Sequence, residues 1–228
     1  VVIRLIPEKR STKVRIYAVA DVHGRPARIE RIRRHIIHYA PDVLVIAGDI
    51  TSYRYPRQVL SQFDRLPIPV LVVRGNTDLR RMEDLFGGFN NIFSLHLNCI
   101  KIQGVNFVGA SGTVPVPFRS RVALREKRLI SQLKFLFDRE SVFIAHPPPY
   151  GTLDRVMGLF HAGSHAVKDL IDETQPRLML CGHIHEDFGH KRIGNTHVVN
   201  CNMAHNRHGA LICIEGSGPP EINLLAGS

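Results

Sequence analysis

Residues 42–76 read "DVLVIAGDITSYRYPRQVLSQFDRLPIPVLVVRGN". Two unbroken runs of branched aliphatic residues, "DVLVIAG" and "IPVLVVRG", flank "PRQVLSQFDRL", a helix-like stretch. Apolar runs this short, closed by glycine and lacking polar alternation, are the signature of buried strands. The preceding segment repeats the pattern: strand-like "KVRIYAVADVHG" leads into "RPARIERIRRHIIHYAPD". There Ile29, Ile32, Ile36 and Ile37 are predicted to share one helical face, with Pro26 in the first turn and Pro41 at the stop. The order βαβαβ implies helices packed on a largely parallel sheet.

Composition agrees. With 228 residues, 44% of them hydrophobic and 22% charged, the chain can bury one large core or two small ones. No apolar run approaches the ~18 residues of a membrane span. The opening "VVIRLIPEKRSTKVR" lacks the features of a secretory signal, so a cytoplasmic location is expected. Cys99, Cys181, Cys201 and Cys213 form no C-x-x-C pair and read as reduced residues of core strands. The net charge of +10 is spread over helices such as "RIERIRRHIIH" and "RVALREKRLISQLK", with no interleaved aromatics. That fits an anionic substrate, or nucleic acid bound without sequence specificity, rather than sequence-specific DNA recognition.

The middle, "IFSLHLNCIKIQGVNFVGASG", reads as short strands joined by turns, one at Gly104. A long helix is expected from Arg121 to Phe137, carrying Val122, Leu129, Ile130, Leu133 and Leu136. "SVFIAHPPPYG" is a strand stopped by three prolines. "GSHAVKDLIDETQP" is a helix with Ser164 as N-cap and Val167, Leu170 and Ile171 inward. After "RLMLCGHIHE" the tail is strand-rich. No linker or repeat divides the chain, so residues 1–228 are expected to form one domain, with two sheets packed between outer helices.

The polar residues that close the apolar runs form a set. Asp21 and His23 follow "YAVA", Asp49 follows "VIAG", Asn76 follows "VVRG", His146 follows "VFIA", and His183 and His185 follow "MLCG". The carboxyl ends of parallel strands share one rim, where ligands bind. Glycine precedes three of them and removes a Cβ where loops crowd. Singly, each is an ordinary turn residue or a hydrogen-bonded histidine; five strand ends carrying metal-binding side chains are not.

The ordered motif "DVHG…AGD…RGNTD…AHPPP…CGHIH" resembles the calcineurin-like metallophosphoesterase superfamily, in particular its small stand-alone phosphodiesterases. The resemblance implies an α/β fold, a four-layer α-β-β-α sandwich with two mixed sheets flanked by helices, and a site for two divalent transition-metal ions. By motif position, Asp21, His23, Asp49 and His185 would hold one ion. Asp49 would bridge to a second, completed by Asn76, His146 and His183. Independently of family, two cations roughly 3.5–4 Å apart need an anionic bridge. Imidazole and oxygen ligands without thiolate suit manganese foremost, with iron, zinc or nickel also compatible. Asn76 supplies a neutral oxygen, where a second aspartate would repel an anionic substrate, and its amide NH2 can meet a phosphate oxygen. A metal-bridging hydroxide would then attack phosphorus in line.

One position departs from the resemblance. Where related proteins often carry a histidine after the asparagine, this chain has Thr77, followed by Asp78. Asn76 and Asp78 are the expected catalytic residues. His161 and His165, in the loop after the three prolines, are the expected substrate-facing residues and possible stand-ins for the missing acid. The expected function is hydrolysis of a small phosphodiester, such as a cyclic nucleotide. The alternatives are a nuclease on the same fold, or a non-catalytic metal-binding scaffold of the kind found in retromer. The sequence leaves the oligomeric state open.

Overall fold

Side-chain alternation along the strands sorts the apolar residues into three separate cores. A computed structural model of the chain describes residues 4–5, 13–52, 55–112 and 132–227. Among these residues the first sheet has six strands, in the order β15 (Glu221–Ala226), β14 (Arg207–Glu215), β2 (Lys13–Val19), β3 (Val43–Ala47), β4 (Val70–Val73) and β5 (Ile92–Ser94). From β2 to β5 neighbours run parallel, while β14 is antiparallel to both β2 and β15. The second has seven among the described residues: β1 (Arg4–Leu5), β6 (Asn98–Ile102), β7 (Val105–Ala110), β8 (Val142–Ala145), β11 (Leu178–Cys181), β13 (Thr196–Asn200) and β12 (Gly189–Ile193). It too is mixed, with β7, β8, β11 and β13 parallel.

Ile16, Ala18, Val43, Val45 and Leu71 point from the first sheet into a core shared with Phe107, Val142, Ile144, Leu178 and Val199 of the second. Their sequence neighbours Tyr17, Val19, Leu44, Ile46 and Val72 face the other way. They meet α1 (Pro26–Tyr39), α2 (Pro56–Asp64) and α3 (Met82–Phe86) in a second core. On the far side of the second sheet, Phe143, Met179 and Val198 pack on Val167, Leu170 and Ile171 of α4 (His165–Thr174). The layers are helix, sheet, sheet, helix, the sandwich that the motif order implies. Because side chains alternate with period two, a one-residue slip in β2 would exchange two of these cores, so register is strongly fixed.

Local signals behave as their chemistry dictates. Ser164 caps α4, its hydroxyl accepting from Val167 N–H at 3.1 Å. α1 starts at Pro26 and ends at Tyr39, capped by Ala40, which adopts the left-handed region just before Pro41. Ile29, Ile32 and Ile36 are buried, but Ile37 is 80% exposed. The expected four-isoleucine face is therefore three wide, since a residue eight positions after Ile29 has rotated about 80° from it. Of the long helix expected from Arg121, residues up to 131 lie outside the described ones, and Lys134–Leu136 form a 3₁₀ turn with Leu133 buried beside it. A two-stranded ribbon, β9 (Arg155–Val156) with β10 (Phe160–His161), occupies the loop after the prolines. All four cysteines are free thiols.

The two sheets are joined at the carboxyl ends of β2 and β13. An isolated parallel bridge pairs Ala20 with Asn202. Ala20 N–H donates to Cys201 O and Met203 N–H to Ala20 O, both at 3.0 Å. That seam lies beside the rim on which the polar strand-closing residues sit.

Candidate metal centre

Asp21 and His23 leave β2, Asp49 leaves β3, Asn76 leaves β4, His146 leaves β8, and His183 and His185 leave β11. The structure brings all seven together. Asp21 Oδ1 lies 3.2 Å from His185 Nε2 and 4.0 Å from His23 Nε2. Asp49 turns one oxygen each way: Oδ2 is 3.8 Å from His23 Nε2, and Oδ1 is 3.5 Å from His146 Nε2. Asn76 Oδ1 sits 3.1 Å from His146 Nε2 and 3.0 Å from His183 Nδ1. Atoms that each lie roughly 2.0–2.2 Å from a common ion stand about 3–4 Å apart, so these spacings fit metal coordination. Two triads, Asp21 with His23 and His185, and Asp21 with Asp49 and His146, have their donor atoms within 4.8 Å of one another.

The glycines before these residues are explained by contact. A Cβ on Gly48 would fall 2.4 Å from His146 Nδ1, one on Gly75 2.1 Å from Asp49 Oδ1, and one on Gly182 2.5 Å from Asp21 Oδ2. Gly75 leaves room for the carboxylate that follows the neighbouring strand β3, while Gly48 and Gly182 leave room for side chains from the facing sheet. Asp21, His23, Asp49 and His183 also have positive φ, between 51° and 69°. Non-glycine residues held there cost roughly 1–3 kcal/mol and cluster at functional sites.

Burial and charge define the electrostatics. Asp21 is fully buried and Asp49 is 3% exposed, and among the described residues the ion pairs both make are with imidazoles. Burial alone would push Asp49 up, but its bond to His146 and the Thr77 N–H hold it well below the usual carboxylate range. Burial opposes charging of His146, yet Asp49 and Asp21 outweigh it and raise the imidazole to about 9. His183 is pushed down to about 4 by burial and by neighbouring His146. His185 is raised by its hydrogen bond to Asp21, and His23 is lowered by burial. The rim thus sets buried carboxylates against imidazoles of two kinds. Those of His146 and His185 hold a proton more tightly, which a bound cation would have to displace, while those of His23 and His183 favour the neutral form.

A supporting shell fixes these groups. His146 Nδ1 lies 2.8 Å from the Ala47 carbonyl, which directs Nε2 into the site. Asp78, expected to be catalytic, is instead filled by structural bonds. Its oxygens accept from Ile50 N–H at 3.0 Å, Thr51 N–H at 2.9 Å, Thr51 hydroxyl at 3.0 Å and Gly75 N–H at 3.0 Å. Burial pushes its carboxyl up against those bonds. His161, in the loop after the prolines, and His165, the first residue of α4, both turn to that loop. His161 Nδ1 is 2.6 Å from Asp154 Oδ1, and His165 stacks on Tyr150 at 3.9 Å. None of their bonds or ring contacts among the described residues reaches the seven.

Sequence motifs alone do not point to Arg28, Asn200 or Asn202. The guanidinium of Arg28, buried on α1, donates to the carbonyl of Asp21. Asn200 and Asn202, both fully buried, donate to Ile184 O at 2.8 and 3.4 Å and hold the turn between His183 and His185. A signal for the two asparagines is present in "THVVNCN", another apolar run closed by polar residues.

A model of the calcineurin-like phosphoesterases matches residues 14–187, from β2 past β11. The chain belongs to that family. Membership makes it a metal-dependent phosphoester hydrolase acting on a small phosphoester. An uncharacterized protein of Methanocaldococcus jannaschii, MJ1162, is 30% identical to this phosphoesterase over 82% of its chain and 87% of the relative. Human metallophosphoesterase domain-containing protein 1 is 26% identical over 83% of this chain, which spans 66% of the human protein's length. A solved archaeal phosphodiesterase shares the fold with a TM-score of 0.53, covering 92% of this chain and 99% of that one at 12% identity. Among the described residues no helix is long and apolar enough to cross a membrane.

Proposed function

We propose that this phosphoesterase hydrolyses small phosphodiesters at a two-ion centre, with manganese the foremost metal. The carrying observation is Asp49, whose two oxygens face two different imidazoles, Oδ2 to His23 at 3.8 Å and Oδ1 to His146 at 3.5 Å. Asp21, His23, Asp49 and His185 would hold one ion, and Asp49, Asn76, His146 and His183 the other. Bound there, the ions would supply a nucleophile of lowered pKa and positive charge for the phosphate oxygens.

The chain's residues do the positioning. Asn76 is exposed at the mouth and offers a neutral oxygen, which leaves that side open to an anion. Asp78 ties the loop after Asp49 to the loop before Asn76, a positioning role. The loop 150–164 begins four residues after His146, and its Arg155 N–H donates to Asp187 at 3.0 Å, two residues past His185. It touches both flanks of the rim; His161 within it and His165, the first residue of α4 just after it, are the substrate-facing histidines. The same proposal takes residues 1–228 as one domain working in the cytoplasm. A small diester as substrate is supported by the motif order, and it extends to this chain the activity for which the archaeal neighbour is named.

The test is metal analysis of the purified protein, then paired turnover of bis-p-nitrophenyl phosphate and p-nitrophenyl phosphate with saturating Mn²⁺. The diester should be the faster substrate, and a monoester preference would overturn that part. General acid help contributes typically ~10²–10⁴-fold, most for poor leaving groups. With Thr77 beside Asn76, diester rates should fall steeply as leaving-group pKa rises. A shallow slope would make His161 the first residue to replace.

A further inference from the structure

We propose that Thr77 is a positioning residue that orients the metal ligand His23 through its hydroxyl, an inference resting on the ligand set proposed above. Thr77 Oγ1 donates to the Thr51 carbonyl at 3.0 Å, and His23 Nδ1 lies 3.4 Å from the same oxygen. A hydroxyl has one proton. With that proton committed to Thr51, the oxygen can only accept from His23, so Nδ1 carries the hydrogen. Nε2 then has the free lone pair, and it faces Asp21 Oδ1 at 4.0 Å and Asp49 Oδ2 at 3.8 Å. Metal-ligating histidines are characteristically held this way through the nitrogen that does not bind the ion.

The anchor behind Thr77 is rigid. Thr51 is 1% exposed, and its N–H and hydroxyl both bond Asp78 Oδ1, at 2.9 and 3.0 Å. Thr77 N–H independently donates to Asp49 Oδ1 at 2.8 Å. One residue thus serves two ligands: its backbone sets the bridging carboxylate, and its hydroxyl sets the imidazole. A chain runs from buried Asp78 through Thr51 and Thr77 to His23. The side chain that stands where related proteins often carry a histidine is committed to the ligand shell, not to the leaving group.

The hydroxyl can be removed without disturbing the backbone contact. Metal-free wild type, Thr77→Val and Thr77→Ser are titrated calorimetrically with Mn²⁺, and the valine change is repeated in a His23→Ala background. Thr77→Val should weaken Mn²⁺ binding by roughly 10–100-fold, the usual cost of losing such a partner, and Thr77→Ser should retain it. In His23→Ala the valine change should cost nothing further, because the interaction is already gone. Should Thr77→Val fail to fold, Thr77→Ala against Thr77→Ser gives the same comparison. Wild-type affinity in Thr77→Val, or an undiminished loss in the His23→Ala background, overturns the proposal while leaving the ligand set standing. A wild type that binds no Mn²⁺ overturns the ligand set itself.

Discussion

The two sheets bring different chemistry to the rim. The first contributes Asp21, Asp49 and Asn76, all oxygen donors, with His23 its single imidazole. The second contributes only imidazoles, His146, His183 and His185. Neither sheet alone makes a site. Buried carboxylates would repel one another without a cation, and a rim of histidines alone has no anionic bridge. Packing the sheets sets Asp49 against His146 at 3.5 Å and Asp21 against His185 at 3.2 Å. The site is therefore a cross-sheet object whose halves should fail differently.

The largest expected effect tests that asymmetry. Asp49→Ala removes the group that faces both halves, so both ions should be lost. Turnover should fall beyond the ~10–100-fold cost of losing a supporting partner. His146→Ala removes a ligand of one ion and should leave the other bound. Metal content by mass spectrometry on both variants reads the difference directly. Equal loss of both ions in the two variants would mean the halves are not distinct.

Metal removal probes the same seam through stability. An ion that binds only the folded chain at 100 times its dissociation constant contributes about 2.7 kcal/mol. For a chain of this size that corresponds to a Tm shift of roughly 5–10 °C. Chelator should lower the melting temperature by about that amount, Mn²⁺ should restore it, and Asp49→Ala should melt the same with or without metal. A wild-type melt indifferent to chelator would deny the ions any part in holding the sheets together.

A smaller effect is expected from Arg28, which supports the first sheet's half alone. It donates to the carbonyl of Asp21, a residue held at φ 57°. Arg28→Met leaves that carbonyl without its donor, a cost of about 1–3 kcal/mol. Urea denaturation of the metal-free protein measures it, and a stability equal to wild type would place the carbonyl's needs elsewhere.

How much of this was legible in the sequence follows from the same contrast. The central strands and the seven rim residues follow from apolar runs closed by a polar residue. That pattern points to a shared rim, because parallel strands share an end. The contacts that fill Asp78 come from backbone N–H groups of Ile50, Thr51 and Gly75, and sequence does not display backbone hydrogen bonds. Arg28 sits among Arg25, Arg31, Arg33 and Arg34, with nothing in the letters to separate it from its neighbours. Only the turn at Asp21 distinguishes it. Ile92–Ser94 reads like the strands that follow it, yet it pairs with β4 in the first sheet while they build the second. Pairing partners are long-range information that a short apolar run does not carry.

The smallest expected effect contrasts the rim histidines with one on the helix side of the first sheet. His35 of α1 lies between Tyr17 of β2, Tyr39 of its own helix and His208 of β14, with ring centroids 5.5, 5.5 and 5.4 Å away. Among the described residues no carboxylate acts on it. Burial, His208 and the helix's own Arg31, Arg34 and His38 push it down to about 4, whereas Asp49 and Asp21 raise His146 to about 9. Since the folded His35 is depressed below its ordinary value near 6.5, the unfolded chain binds more protons between pH 6.5 and 4. Stability must therefore fall as pH drops through that window and be unaffected by His35 above it. His35→Phe keeps a ring in place and removes the titration. The difference in Tm between His35→Phe and wild type, both metal-free, should widen in favour of the variant from pH 7 to 5. A difference that stays flat across that range would show that His35 does not remain neutral in the fold, and the contrast between the two histidine environments would fail.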